Sequence, residues 1–186
     1  YNCQSLTEIT IPPTTKNIGE EAFYGCTSLK HVTIPTSVKS IGRSAFKNCT
    51  SLTEVEIPMI ESLEGSTFEG CTSLHEINIP DSVIYIREYV FYKCTSLEEI
   101  KISKSARLIG DSAFRCCSSL KEVEIPNSIT KIEKETFRGC TSLTLVKIPD
   151  SVKYIGDYSF KECSSLADVT FPSSLSHLGP FSFQLC

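Results

Sequence analysis

Cysteine recurs along this chain at a nearly constant spacing. Cys3, Cys26, Cys49, Cys71, Cys94, Cys117, Cys140, Cys163 and Cys186 are separated by 23 residues at every step but one, where Cys49 to Cys71 spans 22. Of the 10 cysteines only Cys116 lies off this ladder. A fixed period of this size is the mark of a stacked repeat, and it constrains the fold more than any local propensity. Two further columns keep the same register in all eight units: Leu6, Leu29, Leu52, Leu74, Leu97, Leu120, Leu143 and Leu166, then Phe23, Phe46, Phe68, Phe91, Phe114, Phe137, Phe160 and Phe183. The spacing predicts one repeat domain over 1–186, in coils 4–26, 27–49, 50–71, 72–94, 95–117, 118–140, 141–163 and 164–186. The short coil has lost one residue just after Pro58, at a turn. Because the chain starts at Tyr1 and both ends fall inside the register, it reads as an excerpt of a longer polypeptide.

Within one unit the pattern resolves into short elements. In Leu29-x-x-Val32-x-Ile34-Pro35, apolar and polar residues alternate at period two, which predicts a half-buried strand. Proline then ends it, because it has no N–H for a neighbouring strand; seven of eight units carry this proline, with Ser103 the exception. A second extended stretch follows with Val38 and Ile41 inward. Gly42 sits in a corner where five of eight units have glycine, so the position is either left-handed or crowded. Arg43 to Asn48 is expected to form one helical turn that puts Ala45 and Phe46 into the core. Each coil then supplies about seven inward apolar groups, worth roughly 1.5–3 kcal/mol per large side chain. One coil alone cannot enclose them, so neighbours must share the core. Strands about 4.8 Å apart make a stack about 40 Å long.

The motifs Leu-x-x-Val-x-Ile-Pro, Val-x-x-Ile-Gly and Ala-Phe-x-x-Cys at this period resemble the BspA-like class of leucine-rich repeats, over the whole chain. The resemblance implies an α/β repeat solenoid: a right-handed superhelix with a parallel β-sheet on its concave face, and short extended segments and single helical turns on the convex side. It also implies surface proteins that bind or adhere to other proteins, with no shared catalytic residues. That functional implication is analogy at the level of the fold.

Composition excludes several classes. Net charge is −4 with 22% charged and 40% hydrophobic residues, which is globular and lacks the basic face of a nucleic-acid binder. No apolar run approaches a membrane span, so this segment is not expected to insert into one. The ladder cysteines stack about 4.8 Å apart with parallel side chains. That spacing permits a disulfide but the direction opposes it, and no C-x₂₋₄-C pair offers converging zinc ligands. Small buried thiols filling a corner are the preferred reading. Cys116 shares a column with Gly, Asn, Lys, Glu and Leu, so it is expected to be exposed and the most reactive thiol.

Two surfaces are candidates for binding. The first outward column on the concave face is Glu8, His31, Glu54, Glu76, Glu99, Glu122, Leu145 and Asp168, six of eight acidic; the second is Thr10, Thr33, Glu56, Asn78, Lys101, Glu124, Lys147 and Thr170. The plain account is a solvated face whose glutamates are offset by Lys30, Lys101, Lys121 and Lys147. The functional account is a protein-binding surface for a basic partner at Glu54, Glu76, Glu99, Glu122, Leu145 and Lys147. A Ca²⁺ site fits poorly, because a flat carboxylate ladder supplies few of the six to eight oxygens needed. The alternative surface is convex: Tyr85, Tyr89 and Tyr92 with Arg87, residue types common as interface anchors but ordinary when scattered singly.

Catalysis finds no constellation. His31 and His75 lie on the concave side, His177 on the convex, and none joins a nucleophile and an orienting acid. Asn48-Cys49-Thr50 matches a glycosylation sequon, a single short match of low specificity. The sequence therefore points to a non-catalytic binding module without cofactor or metal, with an intracellular scaffold as the alternative. Localisation stays open: the family resemblance favours the cell surface, and unpaired cysteines favour a reducing compartment.

Overall fold

The computed structural model describes residues 2–186. Its strands fall in two rows. The first row is β1 (Glu8–Thr10), β3 (His31–Thr33), β5 (Glu54–Val55), β7 (Glu76–Asn78), β9 (Glu99–Lys101), β11 (Glu122–Glu124) and β13 (Leu145–Lys147). The second row is β2 (Asn17–Ile18), β4 (Ser40–Ile41), β6 (Ser62–Leu63), β8 (Tyr85–Ile86), β10 (Leu108–Ile109), β12 (Lys131–Ile132), β14 (Tyr154–Ile155) and β15 (His177–Leu178). All pairing is parallel and in register, Glu8 opposite His31 and Glu122 opposite Leu145. The fold is thus a β-solenoid. The first row is laddered as β1-β3-β5, β7-β9 and β11-β13, and the second as β2-β4, β6-β8-β10 and β12-β14-β15.

Between the rows the expected helical turn is absent, and with it the α component of the expected α/β class. Residues 43–48 are turn structure, and their N–H groups alternate in direction. Ala45, Lys47 and Cys49 donate back within the unit to Gly42, Ser44 and Phe46 carbonyls at 3.2, 3.1 and 3.1 Å. Ser44, Phe46 and Asn48 donate to the next unit, to Gly65, Thr67 and Glu69 carbonyls at 3.0, 2.9 and 2.7 Å. A helix would turn every N–H inward along its own axis. Here Ser44 (φ 54°) and Asn48 (φ 60°) are left-handed, which breaks the helical run and frees alternate N–H groups to join units. Among the described residues every left-handed one falls on one of these two columns, Glu21 to Phe181 or Asn2 to Leu185. The Gly42 column is not among them. A Cβ on Gly42 would lie 2.5 Å from the Glu20 amide nitrogen, and one on Gly110 2.7 Å from the Arg87 carbonyl carbon, so crowding selects glycine there.

The core is a filled stack. All eight ladder phenylalanines form one continuous column, with ring centroids 5.0–5.8 Å apart and planes within 13°. Phe46 through Phe160 are fully buried; Phe23 and Phe183, at the two ends, are only half-buried, against the expectation of burial throughout. The missing residue of the short unit is absorbed in its turn. Ile60 N–H reaches the Pro58 carbonyl two residues back at 2.8 Å, where Val38 reaches Pro35 three back at 3.0 Å, and both side chains stay buried.

One expected strand is missing. The segment at Asp168 forms no strand and makes no backbone hydrogen bond to β13 among the described residues. The repeat also departs from its pattern three positions after Asp168. The inward column reads Ile11, Ile34, Ile57, Ile79, Ile102, Ile125 and Ile148, then Phe171. A phenyl ring thus stands where every earlier unit has isoleucine. Phe171 stands 45% exposed, edge-on to Phe183 at 5.4 Å, and Val169 before it packs against the core without joining the ladder.

The stack predicts a graded cost of truncation. Phe114→Ala should destabilise by about 3–5 kcal/mol through lost burial and a residual cavity, whereas Phe183→Ala should cost clearly less. Urea unfolding of the two variants checks this; equal losses would contradict a core shared between neighbours.

Candidate functional site

The ladder thiols fill their corner and also meet the backbone of the unit before. Cys49 Sγ lies 3.1 Å from the Phe23 carbonyl oxygen, and Cys71, Cys94, Cys117, Cys140 and Cys163 each place Sγ 3.2 Å from the phenylalanine carbonyl of the unit before. The same carbonyl accepts its own unit's cysteine N–H, as Phe46 does from Cys49 at 3.1 Å. Both lone pairs of a buried carbonyl are thereby used. Burial, with the neighbouring thiol Cys26 adding to it, pushes the Cys49 thiol up to about 12; burial and then Cys186 do the same for Cys163. Cys71, Cys94, Cys117 and Cys140 are also raised well above the ordinary value, with burial again the leading cause. Cys3, just before the first unit, and Cys186, at the end of the last, are exposed, which corrects the expectation of nine buried thiols. Cys116 is half-exposed and left-handed (φ 61°), its sulfur over Gly139.

The outer face of the first strand row is hollow. A depression of about 940 Å³ is lined by β3, β5, β7 and β9, including His31, Glu54, Glu76 and Glu99. A second of about 400 Å³ continues it over Glu99, Lys121, Glu122, Glu124, Leu145 and Lys147. Alternation along each strand sends Val32, Val55, Ile77, Val123 and Val146 inward and their neighbours out. Glu54, Glu76, Glu99, Glu122, Leu145 and Lys147 are all exposed. The lysines only partly offset the acidic column. Lys121 reaches Glu98 at 2.5 Å, Lys147 reaches Glu124 at 4.0 Å, and His31 Nδ1 lies 3.4 Å from Glu54. Among the described residues Glu76, Glu99 and Glu122 make no ion pair. Leu145 is 40% exposed among them.

The tyrosines are held by their neighbours. Arg87 lies over the Tyr85 ring at 4.9 Å, and Tyr92 meets Lys93 at 5.1 Å and Arg115 at 5.5 Å. Tyr89 packs edge-on to Tyr92 at 5.9 Å, and only Tyr89 of the three is exposed. Nearby, Arg43 bonds Glu88 at 2.7 Å, reaching across the short unit where Gly65 leaves room for both side chains. Burial opposes ionisation of Glu88, but the Arg43 hydrogen bond and charge hold its carboxyl below the usual range. The histidines do not converge: His31 lies beside Glu54, His75 borders a third depression with Glu54, Glu76 and Glu98, and His177 stacks on Tyr154 at 4.3 Å. Among the described residues no group of three or more His, Cys, Asp or Glu could hold a metal ion, and no helix is long and apolar enough to cross a membrane.

Sequence reading missed the S–H···O=C bonds and the two left-handed columns. The signal for the second existed: Gly25, Asn48, Gly70 and Gly139 share a column, and glycine and asparagine tolerate that conformation.

The raised thiols fix a sign for the response to alkali. Between the ordinary value of 9.0 and about 12 the unfolded chain releases these protons while the folded chain keeps them. Their stabilising contribution is full below 9.0 and is lost as the pH rises toward about 12. The urea midpoint should therefore fall steadily on titration above pH 9.0. In parallel, iodoacetamide should label Cys3, Cys116 and Cys186 in the native chain and Cys94 only after denaturation. Native labelling of Cys94 at the denatured rate would contradict the assignment.

Comparisons with known proteins agree on the fold. The chain resembles a T. pallidum leucine-rich-repeat protein at 32% identity, with a TM-score of 0.83 over 87% of this chain and 78% of that one. A leucine-rich cell surface protein from Faecalibacterium prausnitzii matches at 28% identity and TM-score 0.57, covering 97% of this chain and 65% of that one. The pneumococcal vaccine antigen PcpA shares the fold at 18% identity and TM-score 0.56, over 93% and 58% of the two chains. A comparison with curated proteins finds no match. The BspA type leucine-rich repeat region matches in 6 copies over residues 1–108 and 61–186. With that match spanning the sequence and the stacked units seen in the fold, the chain belongs to the BspA-type leucine-rich-repeat family.

Proposed function

We propose that residues 1–186 act as one non-catalytic, protein-binding domain whose partner lies across the hollow strand face. The observation that carries this is the row Glu76, Glu99 and Glu122, without ion pairs among the described residues, in which Glu76 lies opposite Glu99 and Glu122 opposite the exposed Leu145. Like charges on adjacent strands destabilise the sheet that carries them, and an exposed leucine does nothing for a solvated face. Together they suit a basic partner: the carboxylates steer its approach and the leucine anchors it. The family and its F. prausnitzii relative, a cell surface protein, support adhesion at a surface. A second reading, an intracellular scaffold, draws on the reduced thiols of the ladder. A signal peptide and an anchor in the full-length polypeptide, or their absence, separates the two.

The test is binding kinetics of variants against a partner recovered by pull-down. Glu76→Lys with Glu99→Lys should slow association several-fold at low salt, with the difference shrinking as salt rises. Leu145→Ala should instead speed dissociation by about tenfold, the cost of one modest anchor. Both variants should fold like the parent, since these side chains point away from the core. Parental binding by both, with loss in Tyr85→Ala and Tyr89→Ala, would move the site to the tyrosine face.

A further inference from the structure

We infer that β13 is an open edge that accepts an extended segment of a partner protein as an eighth, parallel strand. Across the preceding step, Thr144 N–H reaches the Lys121 carbonyl at 2.9 Å and Ile125 N–H reaches the Lys147 carbonyl at 3.1 Å. Across the following step, no backbone bond joins residues 144–148 to residues 167–171 among the described residues. Two other steps of this row are also unladdered, but each keeps one bond, His75 to Thr53 at 3.4 Å and Lys121 to Glu98 at 3.2 Å. Position at the end of the stack does not account for the gap. β1, at the opposite end, is paired, and the same last unit is fully paired in the second row through β14 and β15. The last unit is thus laddered on one side, while on the other Val169 packs against the core without a backbone bond to β13.

An unpaired strand edge is a template for another backbone, and main-chain bonds of that kind recur in peptide recognition. The side chains beside the edge define what fits. An inward β-branched residue would take the place of Val169 in the column of Val123 and Val146, an isoleucine two positions on would restore the residue that Phe171 replaces, and an acidic residue would lie beside Lys147. The segment would displace Asp168–Thr170, which is held by the packing of Val169 and by no backbone bond to β13. The proposal shares Leu145 and Lys147 with the surface described above, but it rests on backbone pairing and not on the acidic row.

A synthetic peptide of residues 118–127 is the probe, because its Val123, Glu124 and Ile125 meet all three requirements. Hydrogen exchange should show fast amides within residues 144–148 of the chain alone. The peptide should slow them by about tenfold and a scrambled peptide should not. Lys147→Glu should weaken the effect, and a peptide carrying Glu124→Lys should restore it. Phe171→Ile should close the eighth rung with the chain's own segment, giving protection without peptide and removing the peptide's effect. The proposal fails if those amides are already as protected as their counterparts in β11, whether by the chain's own segment or by a second copy. It fails equally if the peptide leaves them unchanged or protects β1 alone. Glu76→Lys should leave peptide binding intact, so a failure of the acidic surface and a failure of the open edge give different results.

Discussion

Each buried phenylalanine holds its neighbours twice, by its ring and by its carbonyl. The ring stacks on the rings before and after it at 5.0–5.8 Å, and the carbonyl takes an N–H from its own unit and an S–H from the next. Neither contact can be made by a unit alone. The rest of the architecture follows from keeping this column in line. A constant 23-residue period is needed so that ring meets ring, and the left-handed residues on either side of each phenylalanine aim alternate N–H groups at the next unit. Glycine at the corner lets the backbones approach. Where that corner holds Glu64 or Glu133, the second-row ladder is interrupted, between β4 and β6 and between β10 and β12. Arg87 occupies the same corner without a break, so a Cβ loosens the contact there without forbidding it.

The inward half of the molecule was largely legible in the sequence because it repeats. Leu29, Val32, Ile34, Val38, Ile41, Phe46 and Cys49 are all buried, and the strands at Glu8, His31, Glu54, Glu76, Glu99, Glu122 and Leu145 begin where alternation placed them. What failed were features that depend on direction more than on polarity. A buried Ala-Phe pair followed by a cysteine is as compatible with a helical turn as with left-handed turns, because both bury the same side chains. The strand at Asp168 failed for a different reason. Its own alternation is intact and Val169 still packs against the core, but the backbone bonds to β13 are missing, and apolar periodicity registers burial without registering pairing.

The outward half does not repeat, and function has to be sought there. Glu76, Glu99 and Glu122 occupy equivalent positions on their strands yet stay unpaired, while Lys121 turns to Glu98 and Lys147 to Glu124. Sequence alone could place these charges on one face but could not pair them, since a lysine between two glutamates chooses by rotamer. The tyrosine face shows the opposite outcome. Its cations lie against its own rings, Arg87 on Tyr85 and Arg115 on Tyr92, so much of its capacity for recognition is already spent inside the molecule. That difference, more than charge as such, favours the hollow face as the surface that meets a partner.

The cysteines then bear differently on where such a module can work. Counted in the sequence, ten cysteines without evident pairing argue for a reducing compartment. Placed in the fold, the six from Cys49 to Cys163 on the ladder are buried donors whose thiols are held protonated far above neutrality. The thiolate is the species that oxidises and exchanges, so a thiol fixed on a carbonyl and shut off from solvent is inert in either compartment. Serine in its place would bond the same carbonyl over a shorter distance and would bury a more polar group if the geometry slipped. Cysteine spans the 3.2 Å gap as a small hydrophobe with a weak donor. The ladder is therefore a packing solution, and surface display is no less compatible with it than the cytosol is.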